Sequence, residues 1–400
     1  TKTELIWHDD WTGYYRGYVY GSTTYYYSYI VTINYVSNVS PSINIITPSE
    51  GQVFCESDYS FIPVVSVSDP DGDTLICKLF LDGEASPKDT KTVSNTATAQ
   101  NVSFNAQNIG LLTEGEHKMK FTVYDGEVTI QKEIGFTIDN TPPSIGTTTF
   151  DSSDTSISIS GSATDNVAMH ATPYCYSTGG NETQWMSDIS HTFESLIPNT
   201  RYTAKFMARD KAGHIVEVSQ EIYTKASKPV LSVGSASETS LVITLNDGNP
   251  VGTEYLVSCG SEYVTAQGTL SQLPEWIAFD EKSITVGGLE PNSHYTFIAK
   301  ARSADGIETE IGNQAIGVTL APPPQTLRFN DILQNSLIIS WDALDGAIGY
   351  DIEVDNDVID NGLAINYQHT GLLPETPHTY RVRVRNAGGV GSWSSPFDCM

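Results

Sequence analysis

Apolar and polar residues alternate with a period of two along most of this chain, in short runs set apart by glycine, proline, asparagine and aspartate. Ile157, Ile159 and Gly161 read as the inward face of one strand, and the pattern returns at Leu241, Ile243 and Leu245 and at Leu337, Ile339 and Trp341. Turn residues recur about every 8–12 positions, as in sandwiches and barrels, and no stretch keeps a helical period beyond a turn or two. The predicted class is all-β. A sheet with one apolar face needs a second sheet to cover it. Such a sandwich takes roughly 100 residues, so a chain of 400 residues predicts several in tandem.

An internal repeat sharpens this expectation. Leu196-Ile-Pro198-Asn-Thr200-Arg-Tyr202 returns as Leu289-Glu-Pro291-Asn-Ser293-His-Tyr295 and as Leu372-Leu-Pro374-Glu-Thr376-Pro-His378, with Tyr202, Tyr295 and His378 standing 93 and 83 residues apart. Alternation continues after each, through Ala204, Phe206 and Ala208, through Phe297, Ala299 and Ala301, and through Tyr380, Val382 and Val384. These are the sixth strands of three successive sandwiches. Prolines near Pro41, at Pro142 and Pro143, near Pro229 and at Pro322 to Pro324 divide the chain into segments 1–40, 41–141, 142–227, 228–321 and 322–400.

The Leu-x-Pro-x-Thr-x-Tyr run resembles the tyrosine corner of fibronectin type III domains, in which a phenol near the start of the sixth strand bonds back to the backbone. Segment 322–400 is similar to that family also through Ser336-Leu-Ile-Ile-Ser-Trp-Asp342 and Gly349-Tyr-Asp-Ile-Glu-Val354. It departs at His378, where the corner tyrosine belongs. In segments 142–227 and 228–321, Gly161 and Leu245 stand where the family carries its second-strand tryptophan, which survives as Trp341. Segment 41–141 is different. Its runs Ser68-Asp-Pro-Asp-Gly-Asp-Thr74 and Phe136-Thr-Ile-Asp-Asn-Thr-Pro-Pro143 are similar to bacterial Ig-like and cadherin-like repeats. Together these resemblances imply tandem Ig-like and fibronectin type III sandwiches forming an elongated rod. Such modules occur mainly in bacterial surface proteins, secreted polysaccharide-degrading enzymes and phage tails, and fold alone does not choose among them.

Charge and chemistry narrow the function. Lys and Arg total 21 against 48 Asp and Glu, a net charge of −27, which repels nucleic acid and anionic lipid; no apolar run approaches the ~20 residues of a membrane helix. Five cysteines read as free thiols, because Cys55 and Cys77 fall at opposite ends of their sandwich. No nucleophile elbow, zinc-binding histidine pair, Cys-x-x-Cys or phosphate-binding glycine loop is present, and His8-Asp9-Asp10 reads as a solvated turn. The expected class is non-enzymatic.

Carboxylates offer the better candidates. Asp69, Asp71 and Asp73 alternate on one turn, a pattern that suits Ca²⁺, which takes six to eight oxygens at about 2.3–2.6 Å; an ordinary turn reads equally well. The loops after the second and sixth strands share one end of such a sandwich, so Asp125 is expected near the same site. By the same topology, the linker residues Asp139 and Asn140 should meet Asp165 and Asp210 of the next sandwich, an arrangement that looks like the calcium-stiffened joints of cadherins.

The first 40 residues are the exception, holding nine of the 21 tyrosines in a segment too short to close a sandwich. Tyr25, Tyr27, Tyr29, Val31, Ile33 and Tyr35 share one face of a predicted strand. The segment reads as the tail of a preceding domain, as a strand that completes a neighbouring subunit, or as a self-contained hairpin packed on the next domain. The expectation is an extracellular or cell-surface structural or adhesive protein, a filament subunit or adhesin stalk, with a homo-polymer or another surface protein as partner. The alternatives are an accessory, glycan-binding region of a secreted polysaccharide hydrolase and a phage tail or decoration protein.

Overall fold

A computed structural model describes residues 5–7, 13–15, 37–58, 60–279 and 281–399. The chain forms two compact units, Thr1–Thr141 with Lys211–Gly213 and Pro142–Asp210 with His214–Met400. Strands dominate both, as the period-two pattern requires. Among the described residues the helical content is one 3-10 turn, Ile109–Leu111, and no helix is long and apolar enough to cross a membrane.

In the first unit a short antiparallel pair, Leu5–Trp7 with Gly13–Tyr15, precedes a sandwich. One sheet orders Ser42–Thr47, Val64–Ser68 and Gln100–Ser103. The other orders Gln52–Phe54, Thr129–Ile138, Gly115–Tyr124, Leu75–Leu81 and Asp89–Val93. Alternation decides which side chains enter. Leu75, Cys77, Leu79 and Leu81 are buried while Ile76, Lys78 and Phe80 point the other way, and the inward set meets Val65, Val67, Phe121, Val123 and Phe136. After its first strand the chain changes sheets, and Gln52–Phe54 pairs in parallel with Phe136, Thr137 and Ile138. The predicted strand holding Tyr25, Tyr27, Tyr29, Val31, Ile33 and Tyr35 lies outside the described residues.

The second unit contains three further sandwiches. The first packs Ser144–Ser152, Ile157–Thr164 and Ser190–Phe193 against Asn181–Glu182, Met169–Thr178, Arg201–Asp210 and Ile215–Tyr223. Next, Leu231–Ala236, Ser240–Leu245 and Ser283–Gly287 face a sheet built on Glu254–Cys259, His294–Arg302 and Ala315–Val318. In the last, Leu327–Leu333, Ser336–Trp341 and Asn366–Thr370 face Asp357–Asp360, Gly349–Val354 and His378–Asn386. All described pairings in this unit are antiparallel. The chain is thus a tandem array of β-sandwiches.

The missing second-strand tryptophans have a packing explanation. Phe206 lies over Gly161, so that a methyl group at Gly161 would meet its ring at 2.8 Å. Leu245 and Ala299 hold the same two positions in the next core, Trp341 and Val382 in the last. In each pair a larger residue on one strand thus goes with a smaller one on the other.

Inside the second unit, buried amides tie successive sandwiches together. Asn249, 4% exposed, receives the Ser227 N–H on Oδ1 at 2.6 Å and gives Nδ2 to the Ser227 carbonyl at 2.8 Å. Asn386, 2% exposed, donates to the Thr319 carbonyl at 2.8 Å. Each amide holds the segment that links its sandwich to the one before. All five cysteines are free, with Cys77 and Cys175 buried and the other three half-buried. Burial pushes the Cys77 thiol up to about 11, so it stays protonated and unreactive at neutral pH.

Candidate metal centre

The turn after strand Val64–Ser68 is closed by its own aspartates. Asp69 Oδ1 accepts the Asp71 N–H at 2.8 Å, the Asp69 carbonyl accepts the Gly72 N–H at 3.0 Å, and the Asp69 N–H reaches the Thr96 carbonyl at 2.8 Å. These bonds turn Asp69, Asp71 and Asp73 to one side, where one carboxylate oxygen from each lies within 4.8 Å of the others. Asp69 is fully buried, and no described donor reaches its Oδ2. A carboxylate oxygen held out of water without a donor is costly. A hard cation among the three carboxylates would relieve that cost, so these residues fit calcium, with further oxygens supplied by backbone or water.

Asp125 is not among the three. The amides of Glu127 and Val128 occupy its Oδ1 at 2.8 and 2.6 Å, and the Asn38 side chain donates to its Oδ2 at 3.0 Å. The Val128 bond foremost, with Asn38 and Glu127, holds this carboxyl below its usual range against the opposing effect of burial. Asp125 therefore organises its own turn. The neighbouring Val39 N–H donates to Asp71 Oδ2 at 2.6 Å, so residues 38 and 39 bridge the two acidic loops. Sequence reading missed Asn38. The available signal was its place just ahead of Pro41, as Asn140 stands just ahead of Pro142.

The four residues expected at a second site divide between the units, Asp139 and Asn140 in the first, Asp165 and Asp210 in the second. Asp139 is buried and accepts the Thr141 N–H at 3.2 Å, while Asn140 Oδ1 is buried without a described donor. Asp165 Oδ2 caps the amides of Val167 and Ala168 at 2.7 and 2.9 Å, and its Oδ1 is buried with no described donor. Asp210, fully buried, holds His214 through its backbone at 2.9 Å and its ring at 2.8 Å.

At the corners, Tyr202 Oη accepts the Ile197 N–H at 3.0 Å and Tyr295 Oη accepts the Glu290 N–H at 2.8 Å. Tyr→Phe at either position should cost about 0.5–1.5 kcal/mol, the net worth of one such bond; chemical denaturation with unchanged midpoints would show that the phenols carry no load. His378 is too short for that reach, and its Nδ1 pairs with Asp355 Oδ2 at 2.5 Å instead.

Beside it, His369 Nδ1 meets Tyr380 Oη at 2.8 Å, and the two histidine rings lie 5.1 Å apart. Burial first, then the neighbouring His378, lowers the His369 pKa from its ordinary 6.5, with Asp355 opposing. At Asp355 burial acts upward, but the bonds from His378 and Thr379 and the charges of both histidines together lower its pKa from 3.8. Both folded values lie below the unfolded ones, so this stability is present at neutral pH and is lost on acidification, below 6.5 through His369 and below 3.8 through Asp355. The last sandwich should melt at a lower temperature at pH 5 than at pH 7.5, and His369→Gln should flatten that difference. A pH-independent wild-type melt over this range would refute the linkage.

Residues 322–400 match the family model described as "Fibronectin type III domain". The chain is similar to Endoglucanase B of Cellulomonas fimi, 22% identical over 237 residues that cover 52% of this chain and 22% of that protein. It thus spans about a fifth of the length of that curated relative. Among solved structures it is similar to the FN1–FN3 domains of chicken CNTN1, with 17% identity, 65% of this chain and 99% of the other covered, and a TM-score of 0.28.

Proposed function

We propose that this chain is a non-catalytic, extracellular spacer, a filament subunit or adhesin stalk, whose first sandwich is stiffened by calcium at Asp69, Asp71 and Asp73. The observation that carries this reading is the pair of buried amides, Asn249 and Asn386, that fix each linker in the second unit to the sandwich it enters. Ties of this kind resist bending at the joints, where loosely tethered domains move freely. In this reading the face of Tyr25, Tyr27, Tyr29, Val31, Ile33 and Tyr35 pairs with another subunit in a head-to-tail contact. Electron microscopy of negatively stained native material tests it. Filaments or cell-bound stalks are expected, and Tyr27→Asp with Tyr29→Asp should abolish assembly while residues 41–400 stay folded. Free monomers in the native material would reject the assembly.

The similarity to an endoglucanase favours a second reading, the accessory region of a secreted polysaccharide hydrolase, in which the aromatic residues of the first 40 stack on sugar. This reading predicts retention on insoluble cellulose that Tyr27→Asp with Tyr29→Asp removes. The spacer reading predicts passage through the same column.

A further inference from the structure

The repeat Leu-x-Pro-Asn-Thr/Ser-x-Tyr carries a second device besides its tyrosine. Asn199 and Asn292, three residues ahead of the corner tyrosines, sit at φ of 44° and 51°. That left-handed backbone suits asparagine and turns the side chain off the end of its own sandwich. Asn199 Nδ2 donates to Thr253 Oγ1 at 2.9 Å, and its Oδ1 accepts the Ala304 N–H at 2.7 Å. Asn292 Nδ2 donates to the Asp345 carbonyl at 2.7 Å, and its Oδ1 accepts Asn386 Nδ2 at 2.8 Å. The partners come from corresponding regions. Thr253 and Asp345 lie in the loops that follow strands Ser240–Leu245 and Ser336–Trp341, while Ala304 lies in the turn just after strand His294–Arg302 and Asn386 is the last residue of strand His378–Asn386.

Both joints therefore use the same polarity, amide nitrogen to the first loop and amide oxygen to the second. A backbone N–H facing Asn199 and a carbonyl facing Asn292 leave each side chain one acceptable orientation. We propose that the corner asparagine is a latch that fixes the orientation of the following sandwich, and that the corner end is an interaction surface whose partner is the two-loop end of another fibronectin-type sandwich. The third copy supports the assignment by contrast. Glu375 occupies the same backbone position, at φ 64° and exposed, and a glutamate has no amide to give. This inference does not depend on what the chain displays or binds.

Nitroxides on p-azidophenylalanine at Leu273 and Val358, both exposed, read the joint between the last two sandwiches of the full chain. The wild type should give one narrow distance distribution. Asn292→Gly, which keeps the backbone geometry and deletes the amide, should broaden it at least twofold. Asn292→Asp keeps the acceptor for Asn386 but sets a carboxylate against the Asp345 carbonyl, and should broaden it as well. Glu375→Gly should leave the width unchanged. A wild-type width in both Asn292 variants overturns the latch, and so does loss of the third sandwich's own calorimetric transition in both, which would place the role of Asn292 within its own fold.

Discussion

Calcium at a hundred times its dissociation constant should stabilise the first sandwich by about 2.7 kcal/mol, since the ion binds a site that only the folded state assembles. For a domain of this size that is an upward shift in melting temperature of roughly 10–20 °C. Calorimetry of the full chain in excess chelator and in millimolar calcium reads it as one transition that moves while the others stay. Asp69→Asn keeps the acceptor for the Asp71 amide but removes the charge, and should abolish the shift. Asp125→Asn should leave the shift in place, because that carboxylate serves the Glu127 and Val128 amides. Identical transitions with and without calcium would dispose of the metal centre.

Phe206→Ala should cost about 3–5 kcal/mol, the usual range for a buried phenylalanine. Phe206 is fully buried between Tyr174 and Tyr176, with ring centroids 5.4 and 5.5 Å away, and it covers Gly161. Gly161→Ala alone should cost about 1–3 kcal/mol through overpacking. The two changes touch one volume, so they should not add. Gly161→Ala introduced into the Phe206→Ala chain should cost little or even restore stability. Strict additivity in equilibrium denaturation would show that the ring does not fill the place of the absent tryptophan.

Local pattern made most of this architecture legible. Leu75, Cys77 and Leu79, or Leu337, Ile339 and Trp341, declare their buried face by alternation, and the corner tyrosines declare theirs through a spaced repeat. Asp69, Asp71 and Asp73 were legible because one turn holds all three. Contacts between distant strands were not. Asp351 and Glu353 are buried because Arg383 and Arg381 reach them at 2.8 Å from the paired strand, a fact that depends on register. Trp185 over Arg209 and Trp276 over Arg302 join side chains that no sequence spacing links. Asn199 and Asn292 carry no local signal of their contacts, since their partners lie in another sandwich.

The parallel pairing of Gln52–Phe54 with Phe136, Thr137 and Ile138 sets how the first sandwich meets tension. A load drawn between its entry and its exit slides these two strands past one another, so their hydrogen bonds strain together. Antiparallel neighbours joined by a hairpin instead peel apart one bond at a time. The described pairings of the other three sandwiches are all antiparallel, and in each the entry strand is joined to its neighbour by a hairpin. Pulled from its two ends in an optical trap, the chain should yield in three weak events before a fourth at higher force, and a first sandwich that ruptured earliest would contradict this. The sandwich that carries the acidic turn is then also the one that gives way last.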